Sequence, residues 1–295
     1  MIVDVHTHLF WYPDHLAADL VDEALAAKMV KIETSGGRAY AKSLDRHSND
    51  ARPEDHWRAT AAADRVIVFG LRAPATGYNT PNEVVADYVG QHPDKLEGWA
   101  SIDPNDADCV EQLRYCVDHL GLRGLKVGPV YQHFDPRDPR FWPLFAECER
   151  LDLPVIIHMG TTYPSKARLE YAKPLLLEPL IMAHPRLRMI IAHLGHPWEE
   201  DAVALIRKSP RVFADISALH FRPWRFWQAL TTAAEYGVTH KLLLGSDFPN
   251  GTTGDAIAGL AAVNDIVEGT RLPRFPEAAQ DAIVHENSNR FFGAT

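Results

Sequence analysis

Short apolar runs rich in Val, Ile and Leu recur along the chain and predict the strands of the fold. Eight such runs cover residues 2–5, 66–69, 98–102, 122–127, 154–157, 188–192, 212–216 and 241–244. The runs are continuous rather than alternating between apolar and polar positions. This pattern is typical of strands that are buried on both faces, as in a parallel sheet covered by helices.

The segments between these runs carry helical patterns. Apolar residues repeat at intervals of three, four or seven within residues 82–91, 107–120 and 199–208, as expected for helices that pack one face against a core. Eight strands that alternate with helices predict an α/β fold, specifically a (β/α)8 TIM barrel. A doubly wound open sheet would give a similar local pattern, so it stays as the alternative.

Residues 9–65 form the longest interval between two runs and predict an insertion after the first strand. The insertion begins with the aromatic residues 10–12 and contains the Gly36-Gly37 pair. In a TIM barrel this position lies at the C-terminal face, where insertions commonly become lids or substrate walls. We therefore predict a single domain over residues 1–295, with a lid or substrate wall at residues 9–65.

The first strand ends in two histidines that are expected to face the same side. Strand alternation within residues 4–8 places Asp4, His6 and His8 on one side and Val5 on the other. A His-x-His pair can bind one metal ion, and Asp4 could orient one ring or act on the ion from behind the ligands. In a chain with 15 histidines, such a pair alone is weak evidence.

Three other strands end in residues that could bind a metal. His158 ends the fifth run, His193 the sixth and Asp247 the eighth. The C-terminal ends of barrel strands meet at one face whatever their separation in sequence, so these side chains are expected to converge. Taken singly, His158 could be a core histidine and Asp247 a helix cap. A carboxylate buried among histidines would, however, need a cation or several donors to stay ionised.

These motifs resemble those of the amidohydrolase superfamily, specifically the amidohydrolase-related branch that includes aminocarboxymuconate semialdehyde decarboxylase. The resemblance extends over nearly the whole chain. The motifs that carry it are Asp4-x-His6-x-His8, His158, Ala192-His193-x-Gly195, Gly245-Ser246-Asp247-x-Pro249 and Glu286-Asn287-x-x-Arg290-Phe291-Phe292-Gly293.

The resemblance implies a site for one divalent metal ion, usually zinc. Its four ligands would be His6, His8, His158 and Asp247. His193 would then be a catalytic acid, base or electrophile, and either His193 or Asp247 would accept the proton of a metal-activated water. Imidazole and carboxylate ligands also suit Mn²⁺ and Fe²⁺, so the metal is left open between these ions.

Lys126, near the end of the fourth run, leaves a two-metal site open as the less favoured alternative. Two-metal members of the superfamily carry a carboxylated lysine at this strand, and His193 would then be a ligand. One metal is usual in the branch that this chain resembles. We therefore interpret Lys126 as a residue that faces the substrate or acts electrostatically.

Several residues in the loops after the strands are candidate substrate contacts. They are Trp11, Lys126, Tyr163, His196, His220 and Arg222. Arg222 could bind a substrate carboxylate through its guanidinium group, and Trp11 with Trp224 could form an aromatic wall. Ordinary loop packing or a subunit interface would explain these residues equally well.

Composition and charge restrict the classes of partner. The net charge of −9 disfavours binding to nucleic acid or to an anionic membrane. The three cysteines, at positions 109, 116 and 148, form no Cys-x-x-Cys pair, which disfavours a disulfide framework and fits a cytoplasmic protein. We expect no leader peptide before the first strand, and no apolar run reaches transmembrane length. We expect a small-molecule substrate and leave a homodimer open.

These observations favour a metal-dependent hydrolase that cleaves a small amide, ester or lactone with a metal-activated water. The alternative is a metal-dependent carboxy-lyase that decarboxylates an aromatic or unsaturated acid without oxidation. In that reaction His193 would assist protonation of the ring carbon. A metal-free barrel without catalytic activity is the third hypothesis, and it is disfavoured because all the site residues are present.

Overall fold

Eight parallel strands, hydrogen-bonded in chain order, form the centre of the fold. The computed structural model describes residues 1–34 and 44–293. The strands are β1 (Val3–His8), β2 (Arg65–Phe69), β3 (Leu96–Ser101), β4 (Leu125–Val127), β5 (Val155–Ile157), β6 (Met189–Ile191), β7 (Val212–Asp215) and β8 (Leu242–Leu243). Each strand coincides with one of the eight apolar runs.

The sheet closes because the chain after β8 pairs with β1. The amide of Val5 donates to the carbonyl of Leu244 at 3.0 Å, and the amide of His8 donates to the carbonyl of Phe248 at 2.9 Å. These bonds join the last strand to the first, so the sheet is a barrel rather than an open, doubly wound sheet. The predicted TIM barrel is confirmed.

Helices surround the barrel and connect its strands. Those in the described part of the chain are α1 (Ala18–Thr34), α2 (Pro53–Ala59), α3 (Asn82–Gly90), α4 (Cys109–Asp118), α5 (Pro129–Gln132), α6 (Trp142–Arg150), α7 (Glu178–Ala183), α8 (Glu199–Lys208), α9 (Pro223–Glu235), α10 (Thr253–Ala261), α11 (Glu277–His285) and α12 (Asn287–Phe292). The three predicted helices correspond to α3, α4 and α8. None of these helices is long and apolar enough to span a membrane.

The inner face of the barrel is apolar over most of its length. Inward side chains such as Ile67, Trp99, Ile156 and Phe213 form one buried cluster, which Phe291 of α12 joins. The alternate positions of the same strands face the surrounding helices and belong to a second, larger cluster. Both faces of the strands are therefore buried, which explains why the strand sequences are continuously apolar.

The predicted orientation of Asp4 is wrong, because β1 contains a bulge. The pairing of β1 with β2 shifts register between Asp4 and Thr7, so strict alternation fails there. His6 faces the barrel interior, whereas Asp4 accepts hydrogen bonds from the Ser246 amide at 3.0 Å and from Thr253 of α10 at 2.6 Å. Asp4 therefore holds the loop after β8 and does not orient a histidine ring.

The predicted insertion contains α1 and α2. It is anchored to the chain after β1 by reciprocal backbone bonds between Phe10 and Ala51, at 3.2 and 2.7 Å. Side chains of α1 line the large cavity at the C-terminal face of the barrel. The Gly36-Gly37 pair of the insertion lies outside the described residues. The role of the segment as a lid or wall stays a prediction.

Candidate active site

Histidine and aspartate side chains from four strands converge at the C-terminal mouth of the barrel. Nε2 of His6 lies 3.3 Å from Nε2 of His8 and 3.4 Å from Oδ1 of Asp247. Potential ligand atoms of His6, His193 and Asp247 all lie within 4.8 Å of one another. These three side chains could together hold a metal ion.

His8 and His158 contact two members of this group. Nε2 of His8 is 3.4 Å from Oδ1 of Asp247, and Nδ1 of His158 is 3.2 Å from Nε2 of His193. His158 also presents a buried Nε2 that has no hydrogen-bond partner in the described structure. The fold therefore brings all five predicted residues together. His193 lies close enough to His6 and Asp247 to be a ligand itself, although the predicted ligand set does not include it.

Asp215, at the end of β7, orients His6. Its Oδ2 lies 2.9 Å from Nδ1 of His6, and its Oδ1 accepts the backbone amide of His193 at 3.0 Å. A carboxylate next to Nδ1 requires the proton to be on that nitrogen, which leaves the lone pair on Nε2 of His6 directed into the site. Asp215 thus fixes the tautomer of one candidate ligand and the backbone of another candidate residue.

Ser217 fixes His193 in the same way. Its hydroxyl donates to Oδ1 of Asp215, and the same oxygen lies 2.8 Å from Nδ1 of His193. Because the serine proton is engaged with Asp215, the serine oxygen accepts from Nδ1 of His193. Nε2 of His193 therefore carries the lone pair, which can accept from Nδ1 of His158 at 3.2 Å.

Burial keeps the site histidines neutral. It lowers the pKa of His6 and of His158 well below the usual value, and it lowers the pKa of His193 to about 3. Burial alone would raise the pKa of Asp247, but the surrounding histidines, His193 first, hold this pKa well below its usual value. Neutral imidazoles beside an ionised carboxylate are the protonation states that metal coordination requires.

Lys126 of β4 lies inside the barrel directly beneath this group. Its Nζ is 3.2 Å from Nε2 of His6 and 4.6 Å from the centre of the Phe69 ring. The side chain is 1% exposed, and burial lowers its pKa to about 8. Lys126 is thus a buried cationic group at the floor of the site.

The residues present fit a divalent cation. The donor set consists of imidazole nitrogens and carboxylate oxygens, which suit Zn²⁺, Mn²⁺ and Fe²⁺. The buried, unpartnered Nε2 of His158 is a second indication, because a buried acceptor without a partner is costly in a closed protein.

A cavity of about 360 Å³ opens above the candidate metal ligands. Its charged walls consist of Lys28, Lys31, Lys126, Arg222 and Asp247, so Asp247 is the only carboxylate among the described residues that line it. Aromatic side chains form a further wall, with the hydroxyls of Tyr78 and Tyr163 3.1 Å apart. The cavity is thus cationic although the whole chain carries a net charge of −9.

Four of the six predicted substrate contacts line this cavity: Lys126, Tyr163, His196 and Arg222. Trp11 does not, because its ring packs against His15 at 4.1 Å and its indole nitrogen donates to Asp14. His220 also lies outside it, packed against Gly251 and Gly259 of the chain after β8. Trp224 is 53% exposed and is likewise absent from the lining.

His196 is held in place by a buried carboxylate. Its Nδ1 lies 2.7 Å from Oε1 of Glu199, which is 4% exposed, and Arg225 pairs with the other oxygen of Glu199. This arrangement fixes the His196 ring at the cavity wall. Its position after the sixth strand was the only sequence indication of such a role.

Sequence reasoning missed several residues of the site. Asp215 ends β7 after three apolar residues, so the rule that identified His158 could also have identified it. Tyr78 and Lys28 had no comparable signal, because each reaches the cavity from a segment whose path the sequence does not reveal.

Comparison with known proteins identifies the family. The amidohydrolase family model matches residues 3–294, nearly the whole chain. The chain belongs to the amidohydrolase family. This amidohydrolase also resembles solved TIM barrels over its full length, which is consistent with the fold described above.

Two curated relatives of this amidohydrolase are decarboxylases. Gamma-resorcylate decarboxylase of Rhodococcus jostii (strain RHA1) is 30% identical over 147 residues, which are 39% of this chain and 44% of the relative. The 2-amino-3-carboxymuconate-6-semialdehyde decarboxylase of Dictyostelium discoideum is 22% identical over 241 residues, which are 72% of this chain and 65% of the relative. The chain thus spans less than two thirds of the length of either relative.

Three solved structures show the same fold. An uncharacterised TIM-barrel protein of Bordetella bronchiseptica has a TM-score of 0.72 at 18% identity and covers 99% of this chain and 98% of its own. A probable 2-pyrone-4,6-dicarboxylic acid hydrolase of Acinetobacter baumannii, with citric acid bound, has a TM-score of 0.65 at 18% identity and covers 99% of both chains. A dihydroxybenzoic acid decarboxylase of Polaromonas, with manganese and 2-nitroresorcinol bound, has a TM-score of 0.63 at 17% identity and covers 99% of this chain and 96% of its own.

Proposed function

We propose that this amidohydrolase is a metal-dependent decarboxylase that removes CO₂, without oxidation, from an aromatic or unsaturated carboxylic acid. The observation that carries the proposal is the charge of the cavity. Four Lys and Arg side chains line it, against one carboxylate, which favours an anionic acid over a neutral amide, ester or lactone. The curated relatives support the same choice, since both are decarboxylases.

The comparisons support the decarboxylase alternative better than the favoured sequence prediction of a hydrolase. One observation supports hydrolase activity: the fold is shared with the probable hydrolase of Acinetobacter baumannii. A likeness at 18% identity extends to the fold alone. The hydrolase is therefore kept as the competing outcome of the experiment below.

We assign the metal to the ligands that the sequence predicted. They are His6, His8, His158 and Asp247. When bound, a divalent cation would attract the substrate carboxylate and draw electron density from the acid. The metal of the Polaromonas decarboxylase is manganese, and zinc or iron would suit the same ligands.

His193 is the residue that we propose to deliver the proton. Its Nδ1 donates to Ser217 at 2.8 Å, so the neutral ring has its lone pair on Nε2. When the anionic acid binds beside the ring, its negative charge favours uptake of a solvent proton by Nε2, and Nε2 then passes this proton to the substrate. In the reaction, the carbon that bears the carboxylate gains one proton. The bond to the carboxylate carbon then breaks, its electron pair stays with the substrate carbon, and CO₂ leaves. His193 returns to its neutral form, so the proton that the carbon gains comes from solvent.

The aromatic wall of the cavity suits a planar substrate. The ring of Tyr131 lies 4.7 Å from that of His158 and 5.5 Å from that of Tyr78. The paired hydroxyls of Tyr78 and Tyr163 could donate to or accept from a phenolic group. These side chains would hold the ring of the acid beside His193.

The test is product analysis with a carboxyl-labelled acid. Protein reconstituted with Mn²⁺ or Zn²⁺ is incubated with gamma-resorcylate that carries ¹³C in its carboxyl group, and separately with a panel of lactones and amides. We expect ¹³CO₂ together with an equal amount of resorcinol, and about 100-fold less of both with His193→Ala. Hydrolysis of a lactone or amide by a protein that releases no ¹³CO₂ would favour the hydrolase instead.

A further inference from the structure

The wall of the cavity contains a histidine–carboxylate pair that the proposed proton transfer does not use. Nδ1 of His196 lies 2.7 Å from Oε1 of Glu199, the first residue of α8. Arg225 of α9 pairs with the other oxygen of Glu199 and also donates to the carbonyl of Pro197 at 2.8 Å. His196 lines the cavity, whereas Glu199 and Arg225 do not. The pair thus presents one imidazole to a ligand and supports it from behind.

The backbone of His196 is fixed as well as its ring. Its amide donates to the carbonyl of His193 at 3.0 Å, and its carbonyl accepts from the amide of Thr161 at 2.8 Å. Gly160 has a φ of +128° and approaches this carbonyl so closely that a Cβ atom would lie 2.3 Å from the oxygen. The loop after β5 therefore holds His196 in one position. A side chain that determines specificity requires such support.

The protonation of the pair determines what His196 offers to a ligand. Burial alone would raise the pKa of Glu199, but the hydrogen bond from His196 lowers this pKa below its usual value, so the carboxylate is ionised. An ionised carboxylate can only accept, so the proton of the ring is on Nδ1. Arg225 supplies the positive charge that offsets Glu199, so the pair is complete with a neutral imidazole. Nε2 of His196 therefore carries a lone pair.

This lone pair is available to a ligand in the cavity. No hydrogen bond to Nε2 of His196 occurs among residues 1–34 and 44–293, and 15% of the side chain is exposed. A carboxylate of a bound acid cannot pair with Nε2, because it carries no proton. The group on the acid that can complete His196 is therefore a neutral donor, such as a hydroxyl on the ring.

We propose that His196 is a specificity-determining residue whose Nε2 accepts a hydrogen bond from a ring hydroxyl of the substrate. Glu199 and Arg225 are positioning residues that keep the proton of the imidazole on Nδ1. This inference rests on the proposed decarboxylase function, since it takes an aromatic acid as the ligand. The hydrogen bond contributes to binding and leaves the transfer of the proton to His193.

The experiment compares acids that can donate at one ring position with acids that cannot. The probes are 2-hydroxybenzoates with a second hydroxyl at ring position 3, 4, 5 or 6, each paired with the acid that carries a methoxy group there. Binding to the Mn²⁺-loaded protein is measured by isothermal titration calorimetry, and release of CO₂ is measured separately. We expect at least one hydroxy acid to bind about 3- to 10-fold more tightly than its methoxy counterpart, the effect of one hydrogen bond between neutral groups.

Substitution of His196 should remove this preference without abolishing binding. In His196→Phe, the preferred hydroxy acid and its methoxy counterpart should bind with affinities within about twofold of each other. His196→Gln should retain part of the preference, because the side-chain oxygen of glutamine can take the place of Nε2 as acceptor. A merely structural role of His196 would weaken binding of both acids equally.

Glu199→Gln tests the positioning role and provides a second variant should His196→Phe fold poorly. The glutamine amide can donate to Nδ1 of His196, which moves the ring proton to Nε2 and converts the acceptor into a donor. We expect this variant to lose the preference for the hydroxy acid or to prefer the methoxy acid, whose ether oxygen only accepts. His285→Phe, at a 47% exposed side chain of α11 outside the cavity, is the matched control and should keep the wild-type preference.

The outcomes separate the role of His196 from the proposed function. Equal binding of both members of every pair, or a wild-type preference in both His196→Phe and Glu199→Gln, would overturn this role even if the acids are decarboxylated. A preference that depends on His196, without release of CO₂ from any acid, would support the role and count against the decarboxylase.

Discussion

The two ends of the barrel interior are built from the same strands but carry opposite kinds of side chain. In β7, Phe213 belongs to the apolar inner cluster, and Asp215, two residues later, binds His6. In β1, Val5 packs in that cluster and His8 reaches the mouth. A displacement of two or three residues along a strand therefore separates the part that stabilises the barrel from the part that carries its chemistry.

The two ends also differ in the free energy change that accompanies burial of their side chains. Apolar side chains gain free energy simply by leaving water. The buried polar groups of the mouth lose their hydrogen bonds to water, and only hydrogen bonds to specific protein partners compensate for this loss. Asp215, for example, accepts hydrogen bonds from His6, His193 and Ser217. We expect substitutions at the apolar end to lower stability and substitutions at the mouth to lower activity.

The largest effect is expected from Asp247→Asn at the mouth. This change removes the only carboxylate that lines the cavity in the described residues, and with it one candidate ligand of the metal. We predict that the rate of CO₂ release falls by about 1,000-fold or more. Asp281→Asn, which alters a 68% exposed side chain on α11, should leave the rate unchanged. A rate of CO₂ release by Asp247→Asn within tenfold of the wild-type rate would contradict the view that the mouth carries the chemistry.

Trp99→Ala tests the apolar end. Trp99 is fully buried inside the barrel, and truncation of such a side chain costs about 3–5 kcal/mol of unfolding free energy. Urea denaturation should show this loss, while metal content below the transition stays at the wild-type value. Loss of metal from the folded variant would show that the two ends are not independent.

Asp215→Asn tests the support behind the candidate ligands. An amide cannot accept from His6 through one oxygen and from His193 and Ser217 through the other, as the carboxylate does. We predict metal affinity lower by about 10- to 100-fold, the usual effect of losing a partner of a ligating histidine. Competition with a chelator measures this affinity. An unchanged affinity would show that Asp215 does not support metal binding through His6.

The smallest effect concerns pH and His56. This buried histidine lies 2.8 Å from Thr7 of β1 and 2.9 Å from Tyr88 of α3, and burial lowers its pKa to about 3. The unfolded chain takes up this proton below about pH 6.5 and the folded chain only near pH 3, so the stabilising effect of the neutral ring is lost as pH falls. His56→Gln should reduce the loss of unfolding free energy between pH 6 and pH 4 by roughly 1 kcal/mol per pH unit. Equal pH dependence of the two proteins would contradict this assignment.

The strands and the converging histidines were predictable because both depend on local sequence. Strands buried on both faces are continuously apolar, and a polar residue at the end of such a run stands out, as His158 and Asp247 do. The orientation of Asp4 was not predictable, since the bulge in β1 depends on pairing with a distant strand. The packing of Trp11 on His15 was not predictable for a different reason, because the insertion has no regular pattern that fixes the direction of its side chains.

Metal analysis of two single variants tests the central claim most directly. His158→Ala, His193→Ala and wild type are purified without chelators, reconstituted with Zn²⁺ or Mn²⁺, and measured by elemental mass spectrometry. If His158 is a ligand and His193 carries the proton, wild type and His193→Ala hold about one ion per chain and His158→Ala holds far less. Retention by His158→Ala with loss by His193→Ala would contradict the account and assign the ion to His6, His193 and Asp247.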